Sequence, residues 1–380
     1  PWGADVEFSG DNNFVGAPTA VIGGILNDVT TALRTQNAQA PAITSVEEFN
    51  GLTTQLRLSP AQLPTLQNQL TQVNNGLAAN PNSTTLQTQR ARLESAIKLI
   101  NANVAANGLS TVSGATNVSV SSQNFTGLLG VKLGEKKNIQ IYGGPTIQRL
   151  EGDVHLRGNA YKTASGYDAN ITRDTAYGWM AGIAYLKPEI ALKAALTYRS
   201  EIDHDVTITE NLPARGALGV GTSEITITTP KSVNLDFQTG INPTTLLTAK
   251  ARWVPWSDFA IKPTIYGKAS GLNLVSYDDD AWTAEVGLGK KLSPQLAISG
   301  AVGYDSGAGN PITSLGPVEG NWNVGLGAKY NLTPEWAISG GVKYLMFGDA
   351  KAKLPDGSIV GDFQDNDGWV YGVRLSYQKK

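Results

Sequence analysis

A strict alternation of apolar and polar residues is the feature that most constrains this chain. One face of the segment 322–332 carries Trp322, Val324, Leu326, Ala328, Tyr330 and Leu332. The other face carries only asparagine, glycine and Lys329. Because a period of two places successive side chains on opposite faces, this segment is predicted to be a β-strand with one apolar face.

The same scheme recurs in several other segments of about ten residues. They are 282–292, 296–304, 336–346 and 369–377. Aromatic residues lie near the ends of the apolar faces, whereas the opposite faces are rich in glycine, serine and asparagine. This arrangement is typical of strands that cross a bacterial outer membrane. A soluble β-sandwich or lipocalin-like barrel, whose polar face would meet bulk water, is the alternative.

The connections between these segments alternate in length. Short ones surround residues 134–138, 187–189, 242–244, 293–295 and 333–335, and four of the five contain proline, which cannot extend a strand ladder. Long ones cover 152–173, 205–225, 265–280, 305–320 and 349–367. Outer-membrane barrels have short periplasmic turns and long extracellular loops. We therefore predict an all-β fold: one transmembrane antiparallel up-and-down β-barrel over 1–380, with about twelve strands and an outer-membrane location.

The segment 17–115 interrupts the barrel pattern with helical periodicity. Leucine and valine recur every three or four residues in 63–77, and leucine, isoleucine and valine form a second helical stripe in 86–104. A third apolar stripe covers 21–33. Between the first two stripes, Asn80-Pro81-Asn82-Ser83 supplies a helix stop and a new N-cap. These features predict a helical extracellular insertion. It is either a self-contained knob or a lid that accepts apolar ligand.

Composition excludes several classes of function. The 380 residues include no cysteine and only two histidines, His155 and His204, so thiolate and multi-histidine metal sites are excluded. A formal charge of −2 gives no basic face for nucleic acid. No serine lies in a nucleophile motif, so we expect no enzyme, although an outer-membrane lipase using either histidine is conceivable. The aspartates at 278–280 could bind Ca²⁺, but solvated loop charge is the preferred interpretation. No cofactor is expected.

Three segments resemble the FadL family, the outer-membrane transporters of long-chain fatty acids and other hydrophobic compounds. They are Ala195-Leu196-Thr197-Tyr198-Arg199-Ser200-Glu201, the stretch from Gln140 to Gly152, and the opening Trp2-Gly3-Ala4 followed by Gly10. The order of strands and loops from 117 to 380 is also similar to that of the family.

The resemblance implies a 14-stranded barrel plugged by an N-terminal hatch, with an extracellular groove, an interior pocket and lateral release through a kinked third strand. It implies ligand-binding roles for Arg149 and Tyr142, with Lys268 close to the position of a second family cation. The kinked strand would be 1–15, with Gly10 as the lateral gate. Alternation from Ile139 and Ile141 places Arg149 on the lipid side, whereas a bulge at Gly144-Pro145 would turn it inward.

The chain also departs from the family pattern. No Asn-Pro-Ala hatch motif is present, and the chain begins at the family's third strand, so we expect the hatch and the first strands to be missing. The predicted function is passive outer-membrane transport of long-chain fatty acids or related hydrophobic molecules by a monomer, in contact with outer-membrane lipid and lipopolysaccharide. The alternative is a weakly selective open porin.

Overall fold

The computed structural model describes residues 2–316 and 318–377. The helices are α1 (Thr19–Gln36), α2 (Val46–Gln55), α3 (Leu63–Ala79), α4 (Thr84–Ser110) and α5 (Thr264–Ser270). The first ten strands are β1 (Trp2–Glu7), β2 (Asn117–Thr126), β3 (Leu129–Leu133), β4 (Ile139–His155), β5 (Asp168–Lys187), β6 (Leu192–Arg199), β7 (Ile202–Asn211), β8 (Val220–Thr229), β9 (Ser232–Asn242) and β10 (Thr245–Val254). The others are β11 (Ala260–Ile261), β12 (Val275–Ser276), β13 (Ala281–Lys291), β14 (Leu296–Asp305), β15 (Ile312–Thr313), β16 (Glu319–Asn331), β17 (Trp336–Gly348), β18 (Ala350–Lys353), β19 (Ile359–Phe363) and β20 (Asp367–Tyr377).

Twelve strands form one continuous antiparallel path. Their order is β1-β2-β4-β5-β6-β9-β10-β13-β14-β16-β17-β20, which follows the chain. The predicted up-and-down order and strand number are therefore confirmed. Within residues 2–316 and 318–377, β1 and β20 each have one neighbour on this path, so the sheet is not closed into a complete ring.

Short and long connections lie at opposite ends of this sheet, as predicted. The short ones join β3 to β4, β5 to β6, β9 to β10, β13 to β14, and β16 to β17. We call their end the turn end and the opposite end the loop end. The β7–β8 hairpin, α5 and the strands β11, β12, β15, β18 and β19 belong to the long connections at the loop end.

The outer face of the sheet is apolar and exposed. Large side chains such as Leu326 (64% exposed) and Val373 (81% exposed) lie on it without covering structure. Aromatic rings pair across neighbouring strands near both ends of this face. Near the loop end the pairs are Tyr304–Trp322 (4.9 Å between ring centroids) and Tyr344–Trp369 (4.7 Å), and near the turn end the pair is Trp336–Tyr377 (4.9 Å). An apolar band between two aromatic belts is the surface that a bilayer requires.

The largest buried core lies among the loops, at the loop end. It includes Phe8, Phe14, Val118, Leu150, Tyr161, Tyr167, Ile208, Phe259, Tyr266, Leu274, Leu315 and Leu354. Phe8 stacks on Phe14 (4.4 Å), and both rings contact Phe363 of β19. The core therefore joins the segment after β1 to the loop before β20 and forms a cap over the mouth of the sheet.

A buried carboxylate inside the cap is satisfied by specific hydrogen bonds. The buried Glu210 carboxylate accepts from the Tyr167 hydroxyl (2.9 Å) and from the backbone N–H groups of Ile265 (2.8 Å) and Tyr266 (2.9 Å). It thereby fixes the first turn of α5 to β7. Burial raises the pKa of Tyr161 to about 12 and that of Tyr266 to about 12, so these phenols remain neutral at physiological pH.

The predicted helical insertion is present and packs largely on itself. Leu26, Val29, Phe49 and Ala106 form its own buried cluster between α1, α2 and α4. Ser83 caps α4 as predicted, accepting from the Leu86 N–H at 3.4 Å. None of the helices in the described residues is long and apolar enough to cross a membrane.

Candidate functional site

A cavity of about 880 Å³ lies on the inner face of the sheet, below the cap. Strands β4, β5, β6, β8, β9 and β10 and the gap between β2 and β3 supply its walls. Its apolar lining includes Tyr142, Met180, Ile202, Val254 and Trp256. The volume lies within the usual range for small-molecule sites.

Two arginines and one lysine line this cavity. Arg199 follows Thr197 on the inner face of β6, and Arg252 lies on the inner face of β10. Neither arginine has an ion pair or a side-chain hydrogen bond within the described residues. The lining also includes the carboxylate of Asp236. It lies opposite Lys250 in the register of β9 and β10, and not opposite either arginine. The cavity therefore combines apolar walls with two guanidinium groups that are available to an anion.

Tyr142, predicted as a ligand residue, lies in the cavity wall. Its hydroxyl is hydrogen-bonded to the Thr197 hydroxyl on β6, which fixes the ring against the inner face. Gly182 makes this contact possible, because a Cβ there would lie 2.4 Å from the Tyr142 ring.

Arg149 lies outside the cavity. The bulge at Gly144-Pro145 that would have turned Arg149 inward is absent, because β4 pairs with β5 without a register shift from Ile139 to Leu150. Unbroken alternation places Arg149 on the outer face with Ile141 and Ile147, where all three are exposed.

The two other predicted site residues also lie away from the cavity. Lys268 is exposed in the last turn of α5, in the loop between β10 and β13. The predicted strand 1–15 is too long, because β1 ends at Glu7. Gly10 is consequently in a bend beyond the strand, with φ of +85°, and is not a kink within it.

The wall of the sheet is interrupted at a different place. Residues 127–128 separate β2 from β3, opposite Gly144 and Pro145 of β4. The Gly127 N–H donates to the Pro145 carbonyl at 3.1 Å, but proline has no N–H to complete the pair. The Gly127 carbonyl oxygen occupies space 1.8 Å from where a Cβ of residue 144 would be, so only glycine fits there. The cavity reaches this break, since Leu128 and Leu129 line it.

A buried histidine contacts Gln148, one of the residues that line the cavity. His204 Nδ1 lies 2.8 Å from Asp174 Oδ2, and its Nε2 lies 3.0 Å from Gln148 Oε1. The Thr229 hydroxyl donates to the same Gln148 oxygen at 2.7 Å. His155 pairs with Asp168 (2.6 Å). Within the described residues neither imidazole contacts a serine hydroxyl, so neither is arranged as a hydrolase base.

Metal ligands are not grouped in the described part of the chain. No three histidine, aspartate or glutamate side chains there are placed to hold a metal ion. The aspartates at 278–280 instead contact protein groups: Asp278 pairs with Lys353, and Asp280 accepts from the Trp253 indole N–H at 2.9 Å.

The sequence could have revealed both cavity arginines. Arg199 lies within the Ala195–Glu201 segment and is in phase with Ala195 and Thr197, on the polar side of its strand. Arg252 is flanked by Ala251 and Trp253, which lie on the outer face.

A family model described as outer membrane protein transport protein (OMPP1/FadL/TodX) matches residues 113–378. The chain belongs to this family. It is therefore a bacterial outer-membrane protein that acts in transport and not as an enzyme. The family relationship agrees with the twelve-strand path, the long loops and the apolar outer face described above.

The chain is similar to solved structures of other proteins. A crystal structure of a Pseudomonas aeruginosa FadL homologue is 19% identical, with a TM-score of 0.56, and covers 69% of this chain and 68% of its own. The Pseudomonas putida toluene transporter TodX is 11% identical, with a TM-score of 0.44, and covers 65% of this chain and 68% of its own. No curated protein matches the chain in sequence.

Proposed function

We propose that this member of the OMPP1/FadL/TodX family transports hydrophobic molecules that carry an anionic head, of which long-chain fatty acids are the simplest example. The observation that supports this proposal is the pair Arg199 and Arg252 in a cavity that also has apolar walls. Both guanidinium groups are exposed to the cavity solvent, and a purely hydrocarbon ligand would displace that water and leave them unpaired, at a cost in free energy. A carboxylate accepts two parallel hydrogen bonds from a guanidinium and removes that cost.

The acyl part of such a ligand would gain affinity from burial. Each buried methylene contributes about 0.8 kcal/mol, so a long chain needs few polar contacts. Met180, Ile202 and Trp256 offer apolar surface within the same cavity as the arginines. The helical insertion and the cap would form the outer part of the path, with the loop end facing the cell exterior.

Ligand would leave the cavity sideways, through the break between β2 and β3. This proposal is supported by the interrupted ladder at Gly127 and by the cavity lining at Leu128 and Leu129. It replaces Gly10 as the lateral gate, because Gly10 lies beyond the end of β1. The rate at which bound ligand passes into lipid measures this step.

A weakly selective porin is the second candidate function, and the polar lumen favours it. Beside the cavity, Lys343 Nζ lies 2.5 Å from Glu285 Oε2, and Lys250 Nζ lies 3.9 Å from the other oxygen of Glu285. Asn321 and Asn323 line the same region. A lumen of this kind is compatible with water and ions.

The experiment that tests the proposed substrate class is equilibrium binding to detergent-solubilised protein, with laurate and its uncharged analogue dodecanol as ligands. Arg252→Gln or Arg199→Gln is expected to weaken laurate binding by about tenfold, because one charge-assisted contact is lost. Dodecanol binding is expected to change little.

Arg149→Gln is the matched control, because this arginine has the same chemistry but lies on the outer face. Its laurate affinity should equal that of the wild type. The proposal fails if laurate binds equally well to all four proteins, or if Arg149→Gln alone weakens it.

A further inference from the structure

Three basic residues lie in one row across the inner face of the sheet at its turn end. Lys291 of β13 is the register partner of Ala297, which in turn faces Lys329 of β16. Lys329 faces Ser339, and Ser339 faces Arg374 of β20. Register partners lie on the same side of a sheet, so all three cations lie on the lumen side. Successive cations are two strands apart, or roughly 10 Å.

The charges of this row are not neutralised within the described residues. Lys291, Lys329 and Arg374 are exposed, and none of them has an ion pair or a side-chain hydrogen bond there. Neighbouring polar groups have other partners: Glu335 accepts from the Thr333 hydroxyl (3.1 Å). The inner-face group of Lys343 and Glu285 differs from this row, because there the lysine is already paired with a carboxylate.

The space in front of the row is open and has small side chains. A cavity of about 410 Å³ is lined by Lys291 and Lys329, with Ala297, Ser299 and Ser339 between or beside them. Alanine and serine leave room for a ligand that contacts two or three of the cations at once. Phosphate and carboxylate groups are the partners that lysine and arginine prefer in such positions.

We propose that this row is a binding site for a small polyanion that carries two or three phosphate or carboxylate groups. The lumen position favours a free molecule over the headgroups of the surrounding bilayer, which contact the outer face. The site is separate from the cavity of Arg199 and Arg252 and does not depend on the transported substrate. Its cations, its ligand class and its end of the sheet all differ from those of the cavity.

The test is calorimetric titration of the detergent-solubilised protein with inorganic tripolyphosphate, and with orthophosphate for comparison. Tripolyphosphate should bind more tightly than orthophosphate, and binding should weaken as salt is added. Lys329→Gln removes the central cation and is expected to weaken tripolyphosphate binding by about tenfold.

Lys290→Gln is the matched control. Lys290 is adjacent to Lys291 and also borders this cavity, but its side chain is out of phase with the row and its ammonium group already donates to Thr244 (2.9 Å) and Thr245 (3.1 Å). Its affinity for tripolyphosphate should equal that of the wild type. Circular dichroism of both variants confirms that the sheet is retained.

Three outcomes would overturn the proposal. The first is equal binding of tripolyphosphate to the wild type and Lys329→Gln, and the second is an equal loss of binding in Lys329→Gln and Lys290→Gln. The third is binding of dihexanoyl phosphatidic acid, lost in Lys329→Gln, without any binding of tripolyphosphate, which would assign the row to a lipid headgroup. None of these outcomes affects the laurate experiment, since that experiment probes different residues.

Discussion

Single ion pairs fasten distant loops of this protein to one another. Lys162, in the loop between β4 and β5, donates to Asp356 (2.9 Å) and to the Ser358 hydroxyl (3.0 Å), in the loop between β17 and β20. The hydrogen bond from Lys162 and those from Ser358 lower the pKa of Asp356 to about 2. This contact ties the β4–β5 loop to the loop before β20, and the Phe8–Phe14–Phe363 rings join the two ends of the open sheet at the cap.

The Lys162–Asp356 contact predicts a pH dependence of the cap. A carboxylate whose pKa is lower in the folded state stabilises the fold above its unfolded pKa, near 3.8, and this contribution is lost as the pH falls towards 2. Near-ultraviolet circular dichroism of the cap tyrosines during thermal unfolding measures it. We expect the midpoint of the wild type to fall between pH 4 and pH 2 by more than that of Asp356→Asn.

Asp362→Asn serves as the control for that measurement. Asp362 lies in the same loop and accepts from Gln364, its neighbour in sequence. Its pH profile should follow that of the wild type. Identical profiles for the wild type and Asp356→Asn would contradict the role assigned to this ion pair.

The face of β4 on which Arg149 lies limits what the sequence could predict about the site. Tyr142 and Arg149 are seven residues apart, so strict alternation places them on opposite faces of β4. Only a bulge could have brought both into the cavity, and β4 has none between them. Arg199 and Arg252 lie on the polar side of their strands, so the sequence did contain the information that identifies them.

At the scale of elements, the break between β2 and β3 is the clearest irregularity of the wall. It follows from local chemistry: Pro145 lacks an N–H, and Gly144 permits the Gly127 carbonyl to approach the backbone of β4. The register is the same on both sides of the break, from Thr126–Thr146 to Leu129–Gly143. The break therefore interrupts the hydrogen-bond ladder between the strands without changing their register.

Pro145→Val is predicted to slow lateral release. Valine supplies the missing N–H to the Gly127 carbonyl and favours extended backbone, so the ladder can close. Transfer of bound laurate from the protein to lipid vesicles, followed by stopped-flow fluorescence, should slow several-fold while equilibrium binding is retained.

Ile147→Val is the matched variant for this test. Ile147 lies on the same outer face of β4, two residues further along, and pairs normally with Phe125. Its transfer rate should equal that of the wild type. A wild-type rate in Pro145→Val would place the outlet elsewhere.

Strands and helices were predictable from the sequence, whereas the cap was not. Membrane strands and amphipathic helices repeat apolar residues with a fixed period, and the period alone identifies them. The cap core draws on Phe259, Leu274, Leu315 and Leu354 from irregular loops, where no period exists. Their burial depends on contacts between loops far apart in the chain, which local patterns do not encode.

At the scale of the whole molecule, polarity is arranged in three zones. The outer face is apolar with aromatic belts, the loop end has a buried core, and the lumen is polar and basic towards the turn end. The transport that we propose would use all three zones, because ligand would enter through the cap, be held by its head group in the cavity and pass to lipid. An open porin needs only the polar lumen.

Proteoliposomes distinguish these two functions most directly. We would measure uptake of labelled laurate together with ion conductance of the same protein, for the wild type and for the double variant Arg199→Gln/Arg252→Gln. The account predicts saturable laurate uptake that falls at least about tenfold in the double variant, with low conductance in both. Laurate uptake that neither saturates nor depends on the two arginines, accompanied by steady ion conductance, would contradict it.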